Sequence, residues 1–250
     1  LPAGSAGARS VELASVRKKL TVFFSDIVDF TATTDDLESE ELTDLLNHYL
    51  TEMSRIALGH GATIDKYVGD AILAFFGDRE TKGVKEDALA CVRMAIQMQR
   101  RMQELQSEWR DAGFEKPFQL RIGIGTGFCT VGNFGSEDRM DYTIIGGPVN
   151  LASRLQSNAE PGAILISPET YALVKSRIAA EEQQPIQAKG FAKPLRNYRV
   201  MGEVGQVAAE ERIIREEMDG LSLFLNLDRL DKAKAVPTVE NVLMRLRSAP

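Results

Sequence analysis

The chain has 250 residues, 44% of them hydrophobic and 26% charged, with a net charge of -6. That balance suits a soluble globular chain long enough for a sizeable core, and it argues against a nucleic-acid-binding surface, which needs a clustered basic face. Cys91 and Cys129 are the two cysteines, too few for a thiolate metal centre or a disulfide framework, so a reducing, cytoplasmic setting is expected. No run approaches the roughly 18 apolar residues of a membrane helix, and no signal peptide opens the chain. The start, Leu1-Pro2-Ala3-Gly4-Ser5-Ala6-Gly7, is small, flexible and lacks an initiator Met. Such a start fits either a fragment or an expression scar, and it leaves room for a membrane or sensor segment upstream.

Residues 10–19 are predicted to form a short helix or linker. Residues 20–24 are apolar, rich in Val and Phe and bounded by charge, which predicts a buried strand. Thr34, Asp35 and Asp36, followed by Glu38 and Glu41, look like a helix start with acids in the first turn. Leu42, Leu45, Leu46, Tyr49, Leu50 and Met53 then repeat at helical spacing. Residues 63–77 read as a hairpin turning at Gly69-Asp70, which puts Asp70 at its tip. Residues 85–109 carry the strongest helical pattern, with Ala88, Val92, Ala95, Ile96, Met98 and Met102 on one face and Cys91 packed among them.

Residues 118–127 alternate as a strand whose Gly123, Gly125 and Gly127 permit close backbone approach. Residues 130–135 are expected to return as the second strand of a hairpin. A short strand over 141–148 leads into a helix over 149–156, with Pro148 near its first turn. Asn150 and Arg154 are four apart and share one face of that helix. A strand over 164–167, a helix over 168–174 and a strand over 197–201 follow. Strands interleaved with helices predict an α+β sandwich, a mixed or antiparallel sheet covered by helices. Residues 210–218 read as a charged helix, 221–225 as a strand and 237–246 as a last amphipathic helix.

Two carboxylates stand out. Asp26 ends the first apolar strand, and a charge there needs a cation, a hydrogen-bonding network or solvent. With Asp70 on a second β element and neither His nor Cys beside them, the pair suits a hard cation, Mg2+ or Mn2+, with positions left open for substrate phosphates. Either Asp alone is more simply a turn or capping carboxylate. Paired with the amide and guanidinium of Asn150 and Arg154, a phosphate-handling site becomes the better reading.

These residues resemble the class III nucleotidyl cyclases over about residues 19–200. FFSDIVDFT at 23–31 is similar to the family's first metal motif, DKYVGDAILAFFG at 65–77 to its second, and YTIIGGPVNLASRLQ at 142–156 to its transition-state helix. Three ordered motifs are far more specific than one. The resemblance implies a ferredoxin-like sandwich that pairs head-to-tail as a homodimer with two shared sites. It divides the chain into a linker or transducer segment at 1–18, a catalytic domain at 19–201 and an appendage at 202–250.

The implied reaction is that of an adenylate cyclase, ATP to 3′,5′-cyclic AMP and pyrophosphate. Asp26, Asp70 and the Ile27 carbonyl would bind two Mg2+ or Mn2+ ions per site. The backbone amides of Val28, Asp29, Phe30 and Thr31 would cradle the β- and γ-phosphates. From the partner subunit, Asn150 would orient the ribose and Arg154 would stabilise charge at the α-phosphate. Lys66 and Thr143 are the adenine-specifying pair of the family, and Thr at the second position resembles a subgroup often sensitive to bicarbonate. Asp29 departs from the family's usual Gly. The family's triphosphate lysine has no clear counterpart, its register falling near Phe191 between Lys189 and Lys193. A guanylate cyclase, or a silent nucleotide-sensing dimerisation module, are the rival readings.

Overall fold

Strand β1 (Val16–Ile27) runs through the middle of the sheet, and its residues alternate between two covered faces. Phe23 and Ile27 enter one apolar cluster, while Leu20 and Val22 enter another on the opposite side. Such two-sided burial is why the run reads as continuously apolar rather than as a polar-apolar alternation. The computed structural model describes residues 15–30, 38–114, 116–136, 138–206, 213–218, 221–226 and 230–248. The chain falls into two units, Leu1–Met201 and Gly202–Pro250.

In the first unit, α1 (Ser39–Gly59), β2 (Thr63–Val68), β3 (Ala71–Phe76), α2 (Val84–Asp111) and β4 (Leu120–Gly135) follow β1. β5 (Met140–Ile145), α3 (Gly147–Ser157), β6 (Ile164–Ile166), α4 (Pro168–Val174), β7 (Ile178–Glu182) and β8 (Tyr198–Glu203) complete it. The sheet runs β2-β3-β1-β4-β6-β8-β7, with β5 paired to β4. β1 is antiparallel to both β3 and β4, and β4 is parallel to β6. The first four strands and two helices thus make the expected ferredoxin-like α+β sandwich in a mixed sheet. Tyr49 and Met53 of α1 and Ala88, Val92, Ala95 and Met98 of α2 fill the core on one face, with Cys91 buried beside them. Ala152 of α3 joins the cluster on the other.

Helix α3 lies unusually close to β4. A Cβ built on Gly123 would stand 2.1 Å from the Ala152 carbonyl oxygen and 2.3 Å from the Gln156 amide nitrogen. On Gly127 it would meet Pro148 Cγ at 2.8 Å. The glycines therefore let a helix backbone rest on a strand backbone, which positions the whole Asn150–Arg154 face.

Several elements differ from the sequence reading. Residues 16–19 are strand rather than helix, held by pairing of Val16 with Val131 and Lys19 with Phe128. Residues 120–135 form one long strand rather than a hairpin, because β1 occupies its first part and β5 its last. The partner strand that returns is β5. β7, rich in Ala and Glu, has no strand signature and was missed; its helix-favouring composition is overridden by its place at the sheet edge. In the second unit, β9 (Ile213–Met218) is a strand where a charged helix was expected, because β10 (Leu221–Asn226) pairs with it along its length. Helix α5 (Lys232–Ser248) begins ahead of Pro237 and includes it. The expected helix start at Thr34 to Asp36 lies outside the described residues.

Gly123→Ala is expected to destabilise the fold by about 1–3 kcal/mol through overpacking against α3, read as a lower midpoint in urea unfolding. Gly59→Ala, where an added Cβ meets nothing within 4 Å, is the control and should not lower it.

Candidate functional site

Asp26 and Asp70 are brought together by strand register. Ser25 pairs with Ile72 across β1 and β3, so continuing the antiparallel ladder by two residues sets Asp70 opposite Ile27. Asp70 Oδ2 accepts a hydrogen bond from the Ile27 backbone N–H at 2.9 Å. Alternation along β1 puts Asp26 on the α3 face, where its side chain is 26% exposed. The Arg121 guanidinium and the Gln156 amide both donate to Asp26 Oδ2, each at 3.3 Å. Arg121 is the cross-strand partner of Asp26 in the β1–β4 ladder. Sequence reasoning missed both residues, because pairing register and helix docking created the contacts.

Burial pushes the Asp70 carboxyl up to about 7, with a hydrogen bond and charge repulsion from Asp26 adding to it, and the Ile27 N–H opposing. Two carboxylates side by side, one of them raised by burial, form a donor set that a divalent cation would satisfy. The residues fit Mg2+ or Mn2+, with hard oxygen donors and neither His nor Cys among them.

The turn after β1 carries Val28 and Asp29. The Val28 N–H donates to the Gln119 carbonyl at 2.8 Å. That amide is therefore engaged within the chain, and a phosphate would have to compete for it with the Gln119 carbonyl. Asp29 is exposed with φ of 49°, the left-handed region. A glycine enters that region freely and an Asp at some cost, which accounts physically for a glycine being usual there. Phe30 packs its ring against Phe118 at 5.6 Å. Thr31 lies outside the described residues.

Lys66 and Thr143, 77 positions apart, meet at a carboxylate that the sequence reading passed over. Thr143 Oγ1 donates to Asp65 Oδ2 at 2.9 Å, and Lys66 Nζ lies 3.4 Å from the same oxygen. The ladder between β2 and β3 shifts between Ile64 and Lys66. At this irregularity Asp65 has no partner in the ladder, and the consecutive Lys66 ammonium reaches its carboxylate. Nearby, Tyr142 Oη donates to Asp78 at 2.6 Å, and Lys18 Nζ donates to the same carboxylate group at 2.7 Å. Those bonds tie β5 to the strands beside it.

Asn150 and Arg154 are exposed on α3, whose first turn contains Pro148. At 100° per residue, Arg154 sits about 160° round the helix from Gln156. Since the buried Gln156 reaches its own chain's Asp26, the Asn150–Arg154 face is turned away from that carboxylate pair. Lys189 and Lys193 are both exposed beyond β7.

Residues 14–202 match the family described as the adenylate and guanylate cyclase catalytic domain. Adenylate cyclase 1 of Rhizobium meliloti is 32% identical over 200 residues, covering 79% of this chain and 30% of that protein. An adenylate cyclase of Anabaena cylindrica is 33% identical over 155 residues, 60% of this chain and 29% of that protein. The chain thus spans less than a third of the length of these relatives. Among solved structures, the adenylyl cyclase CyaB from P. aeruginosa is 57% identical with a TM-score of 0.74, covering 76% of this chain and 96% of that one. The guanylyl cyclase Cya2 is 34% identical with a TM-score of 0.71, covering 76% and 94%.

Two measurements probe the site. With a chelator present, stability should fall as pH rises from the ordinary Asp value of 3.8 to about 7, then level off. In that window the folded chain retains a proton at Asp70 that the unfolded chain has lost. Asp70→Asn should flatten the dependence and be more stable than wild type above pH 7. Separately, Asp29→Gly should raise the thermal midpoint, because it relieves the left-handed strain; a lower midpoint would show that the Asp29 side chain stabilises the turn.

Proposed function

Because this chain belongs to the adenylate and guanylate cyclase catalytic-domain family, matched over residues 14–202, we propose that it converts ATP to 3′,5′-cyclic AMP and pyrophosphate. The observation that carries the reading is the convergence of Asp26 and Asp70 at the ends of β1 and β3, held by the Asp70–Ile27 bond. The preference for adenine is supported by Lys66 and Thr143 lying together and by the 57% identity to an adenylyl cyclase.

The family is metal-dependent in general. Two Mg2+ or Mn2+ ions per site, held by Asp26, Asp70 and the Ile27 carbonyl, would neutralise phosphate charge and lower the pKa of the ribose 3′-hydroxyl. Asp26 and Asp70 supply the negative charge that draws the cations in, and Arg121 and Gln156 orient the Asp26 carboxylate. The amides after Val28, those of Asp29, Phe30 and Thr31, contact the β- and γ-phosphates. The 3′-oxygen attacks the α-phosphorus in line, the bond to the β-phosphate bridging oxygen breaks, and pyrophosphate leaves.

Asn150 and Arg154 of a second copy complete each site, as their position on α3 away from their own chain's Asp26 supports. Asn150 positions the ribose, and Arg154 meets the charge that grows at the α-phosphate. A head-to-tail homodimer then has two equivalent sites. Residues 19–201 form the catalytic domain, 1–18 a transducing linker and 202–250 an appendage. The setting proposed is cytoplasmic, and the candidate regulators are an upstream membrane or sensor domain and bicarbonate. Among the described residues no helix is long and apolar enough to cross a membrane.

Purified protein with Mn2+ should make cyclic AMP from ATP, and much less cyclic GMP from GTP; absence of both products at every protein concentration overturns the reading. Arg154→Ala should lower kcat by about a hundredfold or more, since losing such a contact costs about 2.7–4 kcal/mol. Mixing Asp26→Ala chains with Arg154→Ala chains should restore one intact site per heterodimer. Confirmed heterodimers without recovered activity would rule out shared sites.

A further inference from the structure

The Asp65 carboxylate is the feature that the proposed chemistry leaves unused. Its side chain is fully buried, yet Oδ1 has no hydrogen-bond partner among the described residues. Its other oxygen takes two donors, the Thr143 hydroxyl at 2.9 Å and the Lys66 ammonium at 3.4 Å. Leaving a buried carboxylate oxygen unpaired is costly, so Asp65 is not there as the cheapest strut between β2 and β5.

A carboxylate paired with an ammonium has no proton to give. A threonine hydroxyl has one proton and two lone pairs. Once that proton is committed to Asp65, Thr143 can only accept from whatever else approaches it. The same oxygen holds Lys66, which can only donate. Asp65 therefore presents a donor and an obligate acceptor side by side, with the polarity of the acceptor set from beneath.

We infer that Asp65 is a positioning residue for base selection, which orients the Thr143 hydroxyl as an acceptor and holds Lys66 as a donor, so that the site takes a purine bearing an exocyclic amine next to an unprotonated ring nitrogen. Adenine has that pattern. Guanine has the reverse, a carbonyl next to a ring N–H, and would set lone pair against lone pair at Thr143. A hydroxyl free to rotate would accept or donate as needed and discriminate poorly. Sites built to hydrogen-bond one pattern reject the mismatched one strongly because a buried polar group is left unpaired. The inference rests on the cyclase reading above and deepens it.

The test is the ratio of kcat/KM for ATP to that for GTP, with Mn2+, in wild type, Asp65→Asn, Thr143→Val and the double variant. In Asp65→Asn a single acceptor oxygen is contested by Lys66, and the amide N–H groups free the Thr143 proton to turn toward the base. The ratio should fall at least tenfold, chiefly through KM for ATP, with kcat changed less. Thr143→Val should lower it comparably, and adding Asp65→Asn to that variant should lower it little further, since Asp65 acts through Thr143. Asp65→Glu, which keeps the acceptor-only charge, should recover part of the ratio.

An Asp65→Asn enzyme that loses ATP and GTP turnover equally, or loses only thermal stability, overturns the inference and leaves Asp65 a strut. Additive effects of the two substitutions on the ratio also overturn it. Should Asp65→Asn fail to fold, a Thr143→Val ratio equal to wild type overturns it too. These outcomes leave the cyclase reading intact, because wild type still makes cyclic AMP; a wild type that makes no cyclic nucleotide fails that reading first, and the inference with it.

Discussion

The antiparallel register between β1 and β3 is the constraint on which the site depends. It sets the hairpin tip across from the end of β1, so that Asp70 meets the Ile27 amide within hydrogen-bonding distance. A slip of one residue would turn every side chain of one strand to the other face and separate the carboxylates. Burial of both sheet faces makes that slip expensive. Phe23 and Ile27 pack under α1 and α2, and Leu20 and Val22 pack on the α3 side. Core packing and placement of the acidic pair are thus one energetic fact.

A second constraint is the close seat of α3 on β4. Gly123 admits the Ala152 carbonyl and the Gln156 amide where any larger residue would clash. That proximity lets Gln156 reach Asp26. The same helix carries Asn150 and Arg154 on a face turned away from its own acidic pair. One helix therefore carries both a contact to its own Asp26 and a polar face directed elsewhere, which is the arrangement behind the proposed pairing with a second copy. Charge is divided the same way: the acidic pair, with the Asp70 carboxyl raised by burial, on one side, and the exposed Arg154 guanidinium on the other.

Much of this was legible from residues alone. The hairpin over 63–77 was read from Gly69-Asp70 between β-prone runs, and Gly69 has φ of 64° as such a turn requires. The helix over 84–111 was legible from its apolar stripe, and the glycines of β4 from their spacing. Misreadings occurred where local preference and partnership disagree. Residues 213–218 carry helix-compatible charges but pair along β10. Residues 130–135 resembled a separate strand because β4 changes partners from β1 to β5 part-way along. β7 lacks any local β signal. Among the proposed site residues, Asp26, Asp70, Asn150 and Arg154 were singled out from type and position. Asp65, Arg121 and Gln156 were not, and neither was the bond from the Val28 amide to the Gln119 carbonyl.

By itself the sequence determined which side chains can carry chemistry and the periods that make strands and helices, since both depend on residue type and near neighbours. Only the tertiary structure decided which groups share an oxygen or a proton. Asp65 sits next to Lys66 in any conformation, but the return of β5 along β4 is needed to bring Thr143 to it. Asp26 is charged in the letters; Arg121 and Gln156 reach it because a ladder and a helix docking, 95 and 130 residues away in the chain, place them there. Long-range proximity is set by packing and register, and no single stretch of residues contains it.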